Sequence, residues 1–290
     1  MTSIRRVISA ALIAFVLHAC GGGTTETART QTTPEPEASP TPERTPEPEA
    51  TPPASAAVPP RLRVIHATSD EAAATISVAL DSGSDPFITS LAYGNGSGYV
   101  AVEEGRHSII AHGASTDSGA PVLGLASDVL EAEHAYTLFF VTQGAADAPF
   151  ALYTGDDDDQ PGEDVAALRF FHAMIGVDDV DVCLPGATAR ASGEPIFADV
   201  APNSLGTAQG IHYADVPAGE SVTIQVRAHG SPPCHGRVVG VARFTPDAGT
   251  SYTAVAIGRT TGRPHAALQL LVCSDAPADG ACTTVAMPTH

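Results

Sequence analysis

Four short blocks recur in the same order along this chain, and that repetition constrains its fold more than any other feature. Arg63-Val64-Ile65-His66-Ala67 returns as Arg169-Phe170-Phe171-His172-Ala173. Tyr99-Val100-Ala101-Val102-Glu103-Glu104-Gly105 returns as Tyr213-Ala214-Asp215-Val216-Pro217-Ala218-Gly219. Ala111-His112-Gly113 matches Ala228-His229-Gly230, and Ala135-Tyr136-Thr137-Leu138 matches Ser251-Tyr252-Thr253-Ala254. Between the blocks, apolar residues alternate with polar ones: Ile76, Val78 and Leu80 with Ser77, Ala79 and Asp81, then Val222, Ile224 and Val226 with Thr223, Gln225 and Arg227. A period of two is the signature of a half-buried strand, and many such runs broken by Gly, Asp and Pro without helical periodicity predict sandwiches. The expected fold is all-β: two tandem β-sandwich domains, immunoglobulin-like or transthyretin-like, over 61–155 and 166–275. An acidic linker at 156–165 joins them, and a C-terminal tail occupies 276–290.

The paired Arg-x-x-His-Ala, Tyr…Val-x-x-Gly and Tyr-Thr blocks resemble the bacterial repeats called domain of unknown function 4397, over nearly all of 61–275. That family's strand after His-Ala carries Val-Asp-Val, present here as Val180-Asp181-Val182 and altered to Ile76-Ser77-Val78 in the first copy. The resemblance implies an extracytoplasmic β-sandwich, often lipid-anchored, and assigns no activity.

The N-terminal 60 residues are a different material. Arg5 and Arg6 precede an apolar run from Val7 to Leu17 that is too short to span a bilayer, which is the anatomy of a signal peptide over 1–19. The run ends in Leu17-His18-Ala19-Cys20-Gly21, which resembles the bacterial lipobox, in which the cysteine is acylated after cleavage. Cys20 is therefore the expected lipidation site and membrane anchor, and Gly21 after it suggests sorting to an outer membrane. Residues 20–60 alternate Pro with Glu and Thr and cannot form a core. They are expected to be a disordered tether reaching at most roughly 120 Å.

Composition removes several functions. With 33 acidic residues against 14 basic ones, the net charge of −19 repels nucleic acid and anionic lipid surfaces. All the basic residues are arginine, which excludes Schiff-base lysines and P-loop phosphate binding. The absence of Trp leaves a carbohydrate-stacking platform without support.

The remaining candidates each carry a plain structural reading. His66 and His172 share a strand face with Leu62, Val64, Leu168 and Phe170, so both point inward as core residues. Arg63 and Arg169 fall on the opposite face, where an Asp on a neighbouring strand is the expected partner. Cys183, Cys234, Cys273 and Cys282 form an even set in an oxidising compartment, which favours disulfides. Of the three pairings, Cys183 with Cys234 and Cys273 with Cys282 is preferred. A zinc site from His229, Cys234 and His235 lacks suitable ligand spacing. Asp156, Asp157, Asp158 and Asp159 are the weak calcium candidates, but they lack an ordered Asp-x-Asp-x-Asp-Gly frame and read as solvated linker. Gly94-Asn95-Gly96-Ser97-Gly98 reads as a flexible turn.

No catalytic, cofactor or metal constellation emerges. The function expected from sequence is non-enzymatic: a membrane-tethered envelope lipoprotein displaying two β-sandwiches for binding or adhesion to an envelope or extracellular protein or polysaccharide. A structural or assembly role, and an extracytoplasmic hydrolase with a triad assembled in space, are the alternatives.

Overall fold

The fold was analysed in a computed structural model that describes residues 57–69, 74–81, 85–113, 121–127, 129–143, 148–155, 161–185, 195–207, 212–261, 266–276 and 282–288. Every regular element among them is a strand. In the first half, β1 (Arg61–His66) lies between β8 (Ala135–Gln143) on one side and β4 (Asn95–Gly96) and β5 (Val100–Ala101) on the other, and β9 (Ala148–Gly155) continues the sheet beyond β8. A second sheet runs in the order β3 (Ile88–Ala92), β2 (Thr75–Leu80), β6 (Ser108–Gly113), β7 (Pro121–Ala126). Leu62, Val64, Tyr136, Leu138 and Phe140 from one sheet meet Ile76, Val78, Ile88, Leu91, Ile109 and Ala111 from the other in a single core, which makes this half a sandwich.

The second half repeats that arrangement strand for strand. Here β10 (Val165–Ile175) lies between β17 (Ser251–Arg259) and the pair β13 (Ser204–Leu205) and β14 (Tyr213–Pro217), with β18 (Ala266–Ser274) beyond β17. The outer sheet runs β12 (Pro195–Val200), β11 (Val180–Cys183), β15 (Val222–Ala228), β16 (Val238–Phe244). The registers agree as well. Leu62 opposes Tyr136, and Leu168 opposes Tyr252, in the parallel pair at the centre of each inner sheet.

Among the described residues, one strand has no counterpart in the first half. β19 (Cys282–Ala286) lies in the segment expected to be a tail and instead pairs antiparallel with β18. Met287 then enters the second core. The glycine-rich stretch 94–98 also differs from the flexible turn expected of it. Asn95 and Gly96 pair with His66 and Ile65, and the Val64 N–H donates to Ser97 Oγ (2.9 Å), so the backbone is held by β1.

The two sandwiches are not beads on a string: Ala54–His290 form one compact unit. A third core joins the inner sheets, with Ile65, Phe139 and Val141 of the first half against Phe171, Val255, Ile257 and Leu271 of the second. The Phe139 and Phe171 rings stack with centroids 4.2 Å apart. The molecule is thus four sheets deep, and this explains a pattern that simple amphipathic strands lack. β10 and β17 are buried on both faces, which their near-continuous apolar sequences, Val165 to Ile175 and Ser251 to Arg259, permit.

Candidate functional site

Alternation along β1 and β10 sends Arg63 and Arg169 away from the sandwich cores and into the contact between halves, where they are 0% and 1% exposed. Arg63 Nε donates to Thr137 Oγ1 (2.9 Å), Nη1 to the Ser274 carbonyl (2.9 Å), and Nη2 to Thr253 Oγ1 (2.9 Å) and to the Asp275 carboxylate. Arg169 donates from Nη2 (2.9 Å) and Nε (3.2 Å) to the same Thr253 hydroxyl. Tyr99 stacks on Arg63 and Tyr213 on Arg169, at 4.7 and 5.0 Å from guanidinium carbon to ring centre. Tyr213 OH and Thr253 OH donate to Asp275 (2.8 and 2.9 Å). The aspartate expected on a neighbouring strand is therefore supplied to Arg63 by the other half, just past β18. A planar guanidinium with five donors suits such a shared, dry network better than an ammonium would.

The two histidines lie in the interior. His66 is fully buried, with its ring near-perpendicular to Phe140 (5.3 Å) and Tyr93 (6.2 Å). Burial pushes the Tyr93 phenol up to about 12, against the pull of Arg259. His172 Nδ1 accepts the Met174 N–H (3.2 Å) while Nε2 faces the Asp178 carbonyl (3.0 Å), which defines a neutral ring protonated on Nε2. Burial lowers its pKa, the Asp178 carbonyl opposing.

Disulfides join Cys183 to Cys234 and Cys273 to Cys282, the pairing preferred from sequence. The first anchors the β15–β16 loop beside a buried carboxylate. Asp181 accepts from the Asp199 and Cys234 amides (3.0 and 2.9 Å) and lies 2.8 Å from His229 Nδ1. Asp199 occupies a bulge of β12 at φ 55°, which turns its amide toward Asp181. For Asp181, burial favours the neutral acid, but the His229 contact and the two amides outweigh it and hold the pKa below its ordinary value. His229 is raised, foremost by its hydrogen bond to Asp181. Gly236 closes this loop, since a Cβ there would stand 1.8 Å from the Ala228 carbonyl oxygen. With Cys234 in a disulfide, its sulfur is no thiolate ligand. No group of three or more His, Cys, Asp or Glu is placed to hold a metal among the described residues. Cys20, residues 20–56 of the tether and Asp156 to Asp159 lie outside them.

A feature that sequence reasoning missed opens at the end of the second sandwich. A cleft of about 630 Å³ lies between β16 and the β17–β18–β19 sheet. Phe244 and Tyr252 form an aromatic wall with ring centres 5.7 Å apart, and Asp247, Thr250, Ser274 and Thr283 supply polar groups around them. Tyr252 OH accepts the Asp247 N–H (3.0 Å), as Tyr136 OH accepts the Glu131 N–H (2.9 Å) in the first half. The corner is thus a repeated brace, but the Phe244 wall of the cleft is not repeated. By register, Ser127 of the first half stands where Phe244 stands in the second. No sequence motif marks the cleft, because its residues come from four strands and the loop between β16 and β17.

Residues 60–183 match the family model described as Domain of unknown function (DUF4397). The matched segment covers the first sandwich and ends with β11, the second strand of the second. No curated protein matches the chain.

Proposed function

We propose that the chain is a lipid-anchored, non-enzymatic envelope protein that displays two copies of this β-sandwich, held as one rigid body, for binding. The observation that carries the reading is the commitment of the singled-out polar residues to architecture: Arg63 with Asp275 and Arg169 with Thr137 (3.4 Å) bond across the halves, His172 is held neutral in the core, and Asp181 with His229 fixes a loop. What remains open to solvent is a preformed surface, and binding modules place recognition on loops and clefts of such scaffolds. Cys20, followed by a segment rich in Pro, Glu and Thr, supplies the anchor and the reach. The partner is an envelope or extracellular protein or polysaccharide, and the net charge of −19 sets it apart from nucleic acid.

Metabolic labelling with a palmitate analogue, followed by detergent phase separation, tests the anchor. The wild-type chain is expected to carry label and enter the detergent phase, and the Cys20→Ser variant to lose both. A wild-type chain that is unlabelled and stays in the aqueous phase contradicts the reading.

A further inference from the structure

We infer that the cleft between β16 and β19 binds a neutral saccharide chain, an assignment that rests on the display reading and gives it a ligand class. Its volume, about 630 Å³, lies within the roughly 300–1,000 Å³ range of ligand sites. A sugar ring has an apolar C–H face and a rim of hydroxyls, and the cleft offers the complement of both. Half-buried Phe244 provides the aromatic surface, with Tyr252, itself only 8% exposed, packed against it. Thr250, Ser274 and Thr283 provide hydroxyls, that of Ser274 already accepting the Ala276 N–H (3.2 Å), and Asp247 provides a carboxylate whose Oδ2 accepts the Tyr252 hydroxyl (3.4 Å) and whose other oxygen is an acceptor for a sugar hydroxyl.

Charge narrows the class further. The cleft is lined by one carboxylate and no basic side chain among the described residues, on a chain of net charge −19, so phosphorylated, sulfated or uronic-acid polymers meet repulsion. A basic peptide finds only a single carboxylate there. Two of the features that make the cleft are additions to the shared framework. Phe244 stands where the first half has Ser127, and Thr283 belongs to β19, which has no counterpart among the described residues of the first half. A wall built only in one of two otherwise matching sandwiches is a local specialisation.

The test is methyl NMR of the full chain in detergent, with labelled Thr and Val, titrated with cellohexaose, maltohexaose and chitohexaose. A heparin hexasaccharide and hexa-arginine serve as charged comparisons. At least one neutral hexasaccharide is expected to give saturable shifts confined to Thr245, Thr250, Val272, Thr283 and Val285. Asp247→Asn should weaken that binding about tenfold, the usual scale for a hydrogen bond to a charged group, and Thr283→Val should weaken it while leaving the remaining spectrum in place. The inference is overturned if no neutral hexasaccharide shifts these methyls at about 10 mM, where even a Kd near 1 mM saturates a site. It is equally overturned if both variants bind as wild type, or if only a charged probe binds. Release of the domains from intact cells without saccharide binding removes this assignment alone, whereas saccharide binding by a chain that never reaches the surface removes display and leaves the site.

Discussion

Arg63 joins the two halves directly, because one guanidinium satisfies acceptors from both inner sheets. Truncating one member of a buried ion pair leaves the other charge dry and uncompensated. Arg63→Ala is therefore expected to cost about 3–5 kcal/mol in urea unfolding. A loss below about 1 kcal/mol, the scale of an exposed ion pair, would contradict its role. The titrating groups set a pH window. His172 has a lowered pKa, so its contribution is intact above the ordinary histidine value of 6.5 and declines as pH falls through that value. His229 is raised, so its pairing with Asp181 is fully present below 6.5 and fades as pH rises through the raised value. Asp181 is lowered, so its share is present above 3.8 and is lost as pH falls through the lowered value. In His229→Gln the alkaline part of the decline should disappear while the His172 part persists, which urea midpoints across pH will show. Strand parity was enough to place Arg63 and His66 on opposite faces. It could not reveal that the partner of Arg63 lies in the other half, since a period of two specifies a face and says nothing about what covers it.

Among the elements, β19 is the addition that ties the second half to the first. The Cys273–Cys282 disulfide packs on Gly96, where a Cβ would stand 2.2 Å from Cys282 Sγ, and Thr284 Oγ1 donates to the Gly94 carbonyl (3.2 Å). Gly96→Ala should cost about 1–3 kcal/mol by overpacking. Adding Cys282→Ala should recover part of that loss, so a double-mutant cycle will show coupling between the two sites. Additive losses would place the clash elsewhere. The two disulfides should also rank by loop length. Opening Cys183–Cys234, 51 residues apart, is expected to cost about 4 kcal/mol, and opening Cys273–Cys282, 9 apart, about 2.7 kcal/mol, in the chain-entropy description. The strands themselves were legible wherever one face is apolar, as in β2 and β15, and the repeated blocks located β1, β5 and β8 beside β10, β14 and β17. The Ala-His-Gly match was misleading by two residues. Ser77 opposes His112 while Asp181 opposes Arg227, so His229 lies past the strand end, free to reach Asp181. Sequence identity in a block cannot register a bulge such as the one after Val226. β19 escaped notice because Cys282 to Ala286, Cys-Thr-Thr-Val-Ala, is a short run without alternation whose only recommendation is its distance from Cys273.

At the scale of the whole molecule, two sandwiches that share a core should unfold together. A single transition is expected by both tyrosine fluorescence and far-UV circular dichroism, and Phe139→Ala, which removes half of the ring stack between halves, is expected to cost about 3–5 kcal/mol and to separate the two probes. Two separated transitions in the wild type would mean that the third core contributes little. The shared core was hidden in the sequence because the faces that meet also carry Arg63, Thr137, Arg169 and Thr253, polar residues that are all buried in the fold. On the proposed display reading, a compact unit of four sheets carries both halves together and presents them as one surface. The most direct measurement is protease shaving of intact cells, with mass spectrometry of what is released and of what stays with the membrane. Peptides from residues 61–275 should leave the cells while the envelope remains sealed, and a lipidated fragment beginning at Cys20 should stay behind. If those peptides survive until the envelope is opened, display to the outside is contradicted and an internal scaffold takes its place.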